Sequence, residues 1–80
     1  MEDKIKEILA KYNETHNAVK CVFEEDMLSD IFKLTMNDLE SNRKISTGVF
    51  VQCIELSTMS IDDLITHVLD DMYLKLKKVA

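Results

Sequence analysis

The stretch KISTGVFVQCIEL, residues Lys44–Leu56, decides which folds the rest of the chain can adopt. Its valine, phenylalanine, isoleucine and threonine residues suit a pleated backbone that is half-buried. Apolar side chains occur at both odd and even positions from Val49 onward, so neither face of such a strand would be wholly polar. We therefore predict one strand over Lys44–Leu56, with both of its faces at least partly covered.

Amphipathic helices are predicted at both ends of the chain, and either could pack on this strand. Residues 2–14 repeat apolar side chains at intervals of three and four, which indicates a helix with one buried face. A longer stripe of the same spacing runs from Ile61 to Leu76. Ser60 precedes it, and a serine at this place is typical of a helix N-cap.

Two further strands are predicted between these helices. Residues 17–24 alternate apolar and polar side chains with the period of a strand. Residues 27–39 fit either a helix or a strand, on which Phe32, Leu34 and Met36 would share one face. We favour the strand because the stretches on both sides have the strand period, and short turns would join all three into a meander.

The order of elements predicts an α+β fold. In this two-layer sandwich, an N-terminal and a C-terminal helix cover one face of a three-stranded antiparallel meander, giving the order αβββα. A small all-α helical bundle is the alternative if residues 27–39 are helical. Eighty residues correspond to a single domain, 1–80.

The second face of this sheet would carry Val22, Ile31, Phe50 and Ile54 among polar side chains. Mixed apolar and polar surfaces of this kind are candidates for protein contacts. We therefore keep a homodimer that pairs through this face as a second hypothesis.

The charge pattern bears on partners and location. The net charge is −5, and residues 24–71 hold eleven acidic residues against three basic ones. This field repels nucleic acid and favours basic partners, so we expect no direct nucleic acid binding. No apolar run approaches the roughly 20 residues of a membrane span, and the N-terminus lacks the apolar core of a signal peptide. We expect no membrane association and a cytoplasmic location.

Residue types that support catalysis are not arranged in any familiar motif. The chain has one glycine and no proline, which argues against phosphate-binding loops and nucleophile elbows. Cys21 and Cys53 are too far apart for a CxxC motif, and we expect both to be reduced and buried. With His16 and His67 they have the residue types of a zinc site but not its short paired spacings. We expect no enzyme, no catalytic residues, no metal and no cofactor.

The segment STMSIDDLITHVLDDM, residues 57–72, is similar to the final helix of acyl carrier proteins, and the length and acidity of the chain are similar too. In that family a serine in an Asp-Ser-Leu motif carries phosphopantetheine. The order around Ser29 is Leu-Ser-Asp, and no serine follows an aspartate. A carrier-like helical domain without this serine is therefore the less favoured alternative.

In size, acidity and αβββα order, the whole chain resembles the small acidic proteins of phages and mobile elements, a class that includes some anti-CRISPR inhibitors. The resemblance implies an inhibitor whose carboxylates take the place of DNA phosphates in a basic groove of a nucleic-acid-binding host protein. It also implies that the acidic residues of the turns and of the last helix bind the partner. These candidates are Glu24, Glu25, Asp26, Asp30, Asp38, Glu40, Asp62, Asp63, Asp70 and Asp71.

Overall fold

The computed structural model of the chain describes residues 2–26, 28 and 30–77, except for the side chain of Asp26. The predicted αβββα order is confirmed, with one short additional helix, and the all-α alternative is wrong. The elements are α1 (Glu2–Thr15), β1 (Val19–Asp26), β2 (Ile31–Asp38), β3 (Lys44–Phe50), α2 (Val51–Leu56) and α3 (Ile61–Lys77).

The sheet is an antiparallel meander with β2 in the centre, as predicted. β1 pairs with β2 along its whole length, and Ile31 of β2 lies opposite Phe50 of β3. The residues before β2 and β3 include Asp30 and Asn42, whose φ angles are 52° and 60°. Asp and Asn enter this left-handed region more readily than other residues with a side chain, which explains their place in the two turns.

The prediction of one strand over Lys44–Leu56 is wrong in its second half. The strand ends at Phe50, and Val51–Leu56 form α2. Because β2 begins opposite Phe50, a longer β3 would have no strand to pair with. A helical turn instead supplies hydrogen-bond partners within the segment itself. The change from strand to helix explains why apolar residues occur at both odd and even positions here. They do not mark two covered faces of one strand, since only Ile54 of α2 is buried.

The core lies between one face of the sheet and the helices. Leu34 and Met36 of β2 are wholly buried there, and so are Ile65 and Leu69 of α3. The helical stripes predicted for both ends of the chain face this core. The remaining buried apolar residues are Ile5, Ile8, Leu9, Tyr12, Val19, Cys21, Phe32, Val49, Ile54, Met72 and Leu76.

The other face of the sheet is open. Val22 is 37% exposed and Phe50 is 54% exposed on this side, and the hydroxyls of Thr35 and Ser46 hydrogen-bond each other across it at 3.0 Å. Placing Ile54 on this face is wrong, because α2 directs that side chain into the core.

The cysteines differ in environment. Cys21 is buried, as predicted, and burial raises the pKa of its thiol to about 11. Cys53 is exposed on α2, so its predicted burial is wrong for the same reason as the predicted strand. None of the helices described here is long and apolar enough to cross a lipid bilayer.

Candidate partner-binding surface

Charged side chains are separated along the molecule. Both long helices begin at the end of the sheet that carries the β1–β2 turn, since Glu2 of α1 hydrogen-bonds Glu25 of β1 and Lys4 contacts Asp62 of α3 at 3.4 Å. Acidic side chains dominate this end, which we call the acidic pole. Its described acidic residues are Glu2, Asp3, Glu24, Glu25, Asp30, Glu55, Asp62 and Asp63.

Basic side chains dominate the opposite end, which we call the basic pole. It contains the β2–β3 turn and the last turn of α3. Lys77 of α3 reaches the turn there and contacts Asp38 at 3.0 Å. The basic residues of this pole are Lys20, Arg43, Lys44, Lys75 and Lys77.

Helix dipoles favour this separation of charge. The N-termini of α1 and α3 carry partial positive charge, and acidic residues occupy the first turn of each helix. The C-terminus of α3 carries partial negative charge, and its last turn holds Lys75 and Lys77. Because the two helices begin at the same pole, their preferences add.

Carboxyl groups at the acidic pole are crowded enough to exchange a hydrogen bond. The hydrogen bond that the protonated carboxyl of Glu25 donates to Glu2 raises the pKa of Glu25, and partial desolvation adds to the effect. The pKa of Glu2 is lowered, first by its hydrogen bond to Lys6 and then by the one to Glu25. One proton therefore bridges the two carboxyls while Glu25 is protonated and Glu2 is ionised, and the two negative charges repel each other once both are ionised.

A depression of about 810 Å³ lies beside this pair on the open face of the sheet. Gly48 leaves room for it, since a Cβ there would lie 3.1 Å from Cγ2 of Ile31. The lining therefore combines an apolar floor with an acidic rim of Glu24 and Glu25, and Lys33, the cross-strand neighbour of Glu24, lies beside this rim. It consists of Glu24, Glu25, Leu28, Ile31, Lys33, Ser46, Thr47 and Gly48.

Half of the candidate binding residues meet at the acidic pole. Glu24, Glu25, Asp30, Asp62 and Asp63 lie there, and all are exposed. They come from two elements, β1 and α3, and from the β1–β2 turn. The side chain of Asp26, which follows Glu25 at the end of β1, lies outside the described part of the chain.

Asp38 has an internal role at the basic pole. Its side chain is buried with 7% exposure. Its Oδ1 accepts hydrogen bonds from the backbone N–H of Glu40 and from the ammonium group of Lys77, both at 3.0 Å, and its Oδ2 accepts one from Ser41 at 2.9 Å. These bonds occupy the carboxylate, so we leave it out of the binding surface.

The other three candidates lie away from the acidic pole. Glu40 is exposed in the β2–β3 turn. Asp70 accepts a hydrogen bond from the hydroxyl of Tyr12 at 3.0 Å, which ties α3 to α1. Asp71 pairs with Lys75 one helical turn later at 2.9 Å.

Sequence reasoning missed three acidic residues of this pole. Glu2 and Asp3 fall within the helix predicted over residues 2–14, and nothing in the sequence shows that the start of this helix lies beside β1. Glu55 was placed in a strand, whereas α2 presents it at the surface next to Asp30. Helix dipole preference was the one available signal, because it favours acids at the starts of both helices.

No metal site is formed within residues 2–26, 28 and 30–77, where no three His, Cys, Asp or Glu side chains are grouped closely enough to hold an ion. Comparisons with known proteins found no matching family, no matching curated protein and no matching solved structure.

Proposed function

We propose that this chain is a non-enzymatic binding protein whose acidic pole engages a basic surface of another protein. The observation that carries the proposal is the convergence of carboxylates from α1, β1, the β1–β2 turn and α3 on one end of the molecule. The negative charges of these carboxylates repel one another in the free protein, and a cationic partner would reduce that repulsion.

The depression beside Glu24 and Glu25 suggests how a partner residue would dock. Arg and Lys carry a charged head on an apolar stem. The stem would contact Ile31 on the floor, while the head would meet the carboxylates of the rim. Such a contact selects for a cationic side chain that protrudes from the partner.

The class of partner follows from the resemblance to phage and mobile-element inhibitors. We propose a host nucleic-acid-binding protein whose basic groove the acidic pole occupies, with carboxylates in place of phosphates. The encounter would take place in the cytoplasm. Association would be fast, and it would weaken steeply as salt concentration rises.

Charge reversal at one pole tests the proposal against the effect of net charge alone. The variant Glu24→Lys/Glu25→Lys removes the acidic rim. The control variant Glu14→Lys/Glu40→Lys makes the same change in net charge at exposed positions away from it. Tagged proteins would be used to capture partners from lysates of bacterial hosts, followed by mass spectrometry. We expect a basic protein to be retained by wild type and control and lost from the acidic-pole variant.

The captured partner then gives a second measurement. Binding of the purified partner, followed by fluorescence anisotropy of the labelled chain, should be displaced by duplex DNA. Equal retention of the partner by both variants would refute the role of the acidic pole. Binding that DNA does not affect would refute the groove while leaving the acidic pole in place.

A further inference from the structure

The two edges of the sheet differ in how far other parts of the chain cover their backbone groups. On the β1 edge, the side chain of Asn13 donates a hydrogen bond to the carbonyl of Cys21 at 3.2 Å and accepts one from its N–H at 2.7 Å. The N–H of Val19 donates to the carbonyl of His16 at 3.2 Å. Helix α1 and the turn after it therefore occupy the half of this edge that contains Val19 and Cys21, which hinders another strand from pairing along it.

The β3 edge has no such cover. The N–H of Asp38 donates to the carbonyl of Arg43, and the N–H of Val51 donates to the carbonyl of Asp30. From Arg43 to Val51, the odd-numbered residues therefore direct their backbone N–H and C=O groups toward β2. Even-numbered residues direct theirs outward. Within the part of the chain that the structure describes, nothing bonds the outward N–H and C=O of Lys44, Ser46 and Gly48.

We propose that this edge binds a second copy of the chain, with β3 pairing antiparallel to β3 across a two-fold axis at Thr47. This register pairs every residue of the strand, since Ser46 lies opposite Gly48 and Lys44 opposite Phe50. The absent side chain of Gly48 leaves room for the hydroxyl of Ser46. The result is a continuous six-stranded sheet. The interface shares Asp30 and Glu55 with the acidic pole, whereas Glu24 and Glu25 lie on the far edge, so the variants that test the two proposals change different residues.

Charge complementarity selects a second copy as the occupant. Antiparallel pairing brings Arg43 and Lys44 of one copy to the end of β3 where the other copy is acidic. A depression of about 560 Å³ lies there, lined by Asp30, Phe50, Val51, Gln52 and Glu55. Lys44 would place its ammonium group between the carboxylates of Asp30 and Glu55 and its apolar stem against the ring of Phe50. The two-fold axis repeats this contact.

A single shared edge forms a small interface, so we expect a reversible dimer with a dissociation constant on the order of 10 µM. Sedimentation equilibrium would measure it. Ser46→Pro removes an outward N–H and leaves the ladder to β2 intact, because proline is tolerated at edge positions whose N–H faces solvent. We expect the dissociation constant to rise at least tenfold. Ser46→Ala, which also loses the bond to Thr35, should dimerise like wild type.

A disulfide test fixes the register even if the proline variant fails to fold. In a Cys53→Ser background, Thr47→Cys would place two thiols across the axis, with Cα atoms about 4.5 Å apart. Oxidised glutathione should then produce a covalent dimer. Ser46→Cys should give far less, since its Cα would lie beyond the roughly 7 Å that a disulfide spans. A monomer at all concentrations, or equal crosslinking at both positions, would overturn the proposal.

Discussion

At the scale of single residues, identical side-chain chemistry serves opposite purposes in this chain. Asp38 and Glu25 are both carboxylates near turns, and the sequence predicted both as partner-binding residues. The fold buries Asp38 among donors and leaves Glu25 exposed beside another acid. Sequence could not separate them because the donors of Asp38 include Lys77, which lies 39 residues away.

Asp38 should make the stability of the fold depend on pH in the acidic range. Its hydrogen bond to Lys77, and then the one to the Glu40 backbone, lower the pKa of Asp38 from 3.8 to about 2. A lowered folded-state pKa gives stability that is complete above the unfolded value and is lost as pH falls toward the folded value. We expect Asp38→Asn to lower the thermal midpoint by about 5 °C at pH 7, and this difference to shrink between pH 4 and pH 2.

Circular dichroism melts across this pH range would measure the effect. Asp71→Asn is the matched control, because it removes an exposed carboxylate that pairs with Lys75 within the same helix. Such pairs contribute only a few tenths of a kcal/mol, so this variant should change little. A constant difference between Asp38→Asn and wild type down to pH 2 would contradict the titration of Asp38.

At the scale of elements, sequence predicted what depends on local pattern. The stripe of α3 and its cap were predicted, and Ser60 does accept a hydrogen bond from the N–H of Asp63 at 3.2 Å. The boundary between β3 and α2 was missed, because strand length here depends on where β2 begins. The sequence also did not show which edge of the sheet is covered, since the contact of Asn13 with Cys21 depends on how α1 packs against β1.

Asn13 should contribute more to the free energy of unfolding than an ordinary polar residue near a helix end. Asn13→Ala would leave the backbone N–H and C=O of Cys21 without their partner on a partly buried edge. We expect a loss of about 1–2 kcal/mol in the free energy of unfolding, measured by urea denaturation. Asn13→Asp keeps an acceptor for the N–H but loses the donor, so it should fall between wild type and alanine.

Opening the β1 edge should also promote association, since an unpaired edge is a template for another strand. Light scattering of Asn13→Ala at increasing concentration would detect it. If this variant were as stable as wild type and no more prone to associate, the side chain would not be closing the edge.

At the scale of the whole molecule, the separation of charge into two poles links the fold to both proposals. Net charge and its excess over residues 24–71 were evident from sequence, but the poles were not. They arise because the two long helices start at one end of the sheet, which brings acids from the first turns of both helices to the β1–β2 turn. Glu24 and Glu25 are left for a partner, and Lys44 of the basic pole meets Asp30 and Glu55 of the acidic pole only when a second copy binds.

The cost of this arrangement should be measurable as lost stability at neutral pH. The raised pKa of Glu25 means that its protonated form stabilises the fold at low pH, and that this contribution disappears as pH rises through the folded-state value. Above it, Glu25 and Glu2 repel each other. Glu25→Gln supplies a permanent donor to Glu2, so we expect its thermal midpoint to exceed that of wild type by about 2 °C at pH 7.

The same one-charge change at the basic pole provides the control. Glu40→Gln removes an acid from surroundings rich in Arg and Lys, so it should give no gain and a slight loss. The gain of Glu25→Gln should also vanish as pH falls through the raised pKa of Glu25, below which the wild-type carboxyl carries its own proton. Equal gains from both variants would mean that net charge limits stability, and the idea of a strained acidic pole would then have to be abandoned.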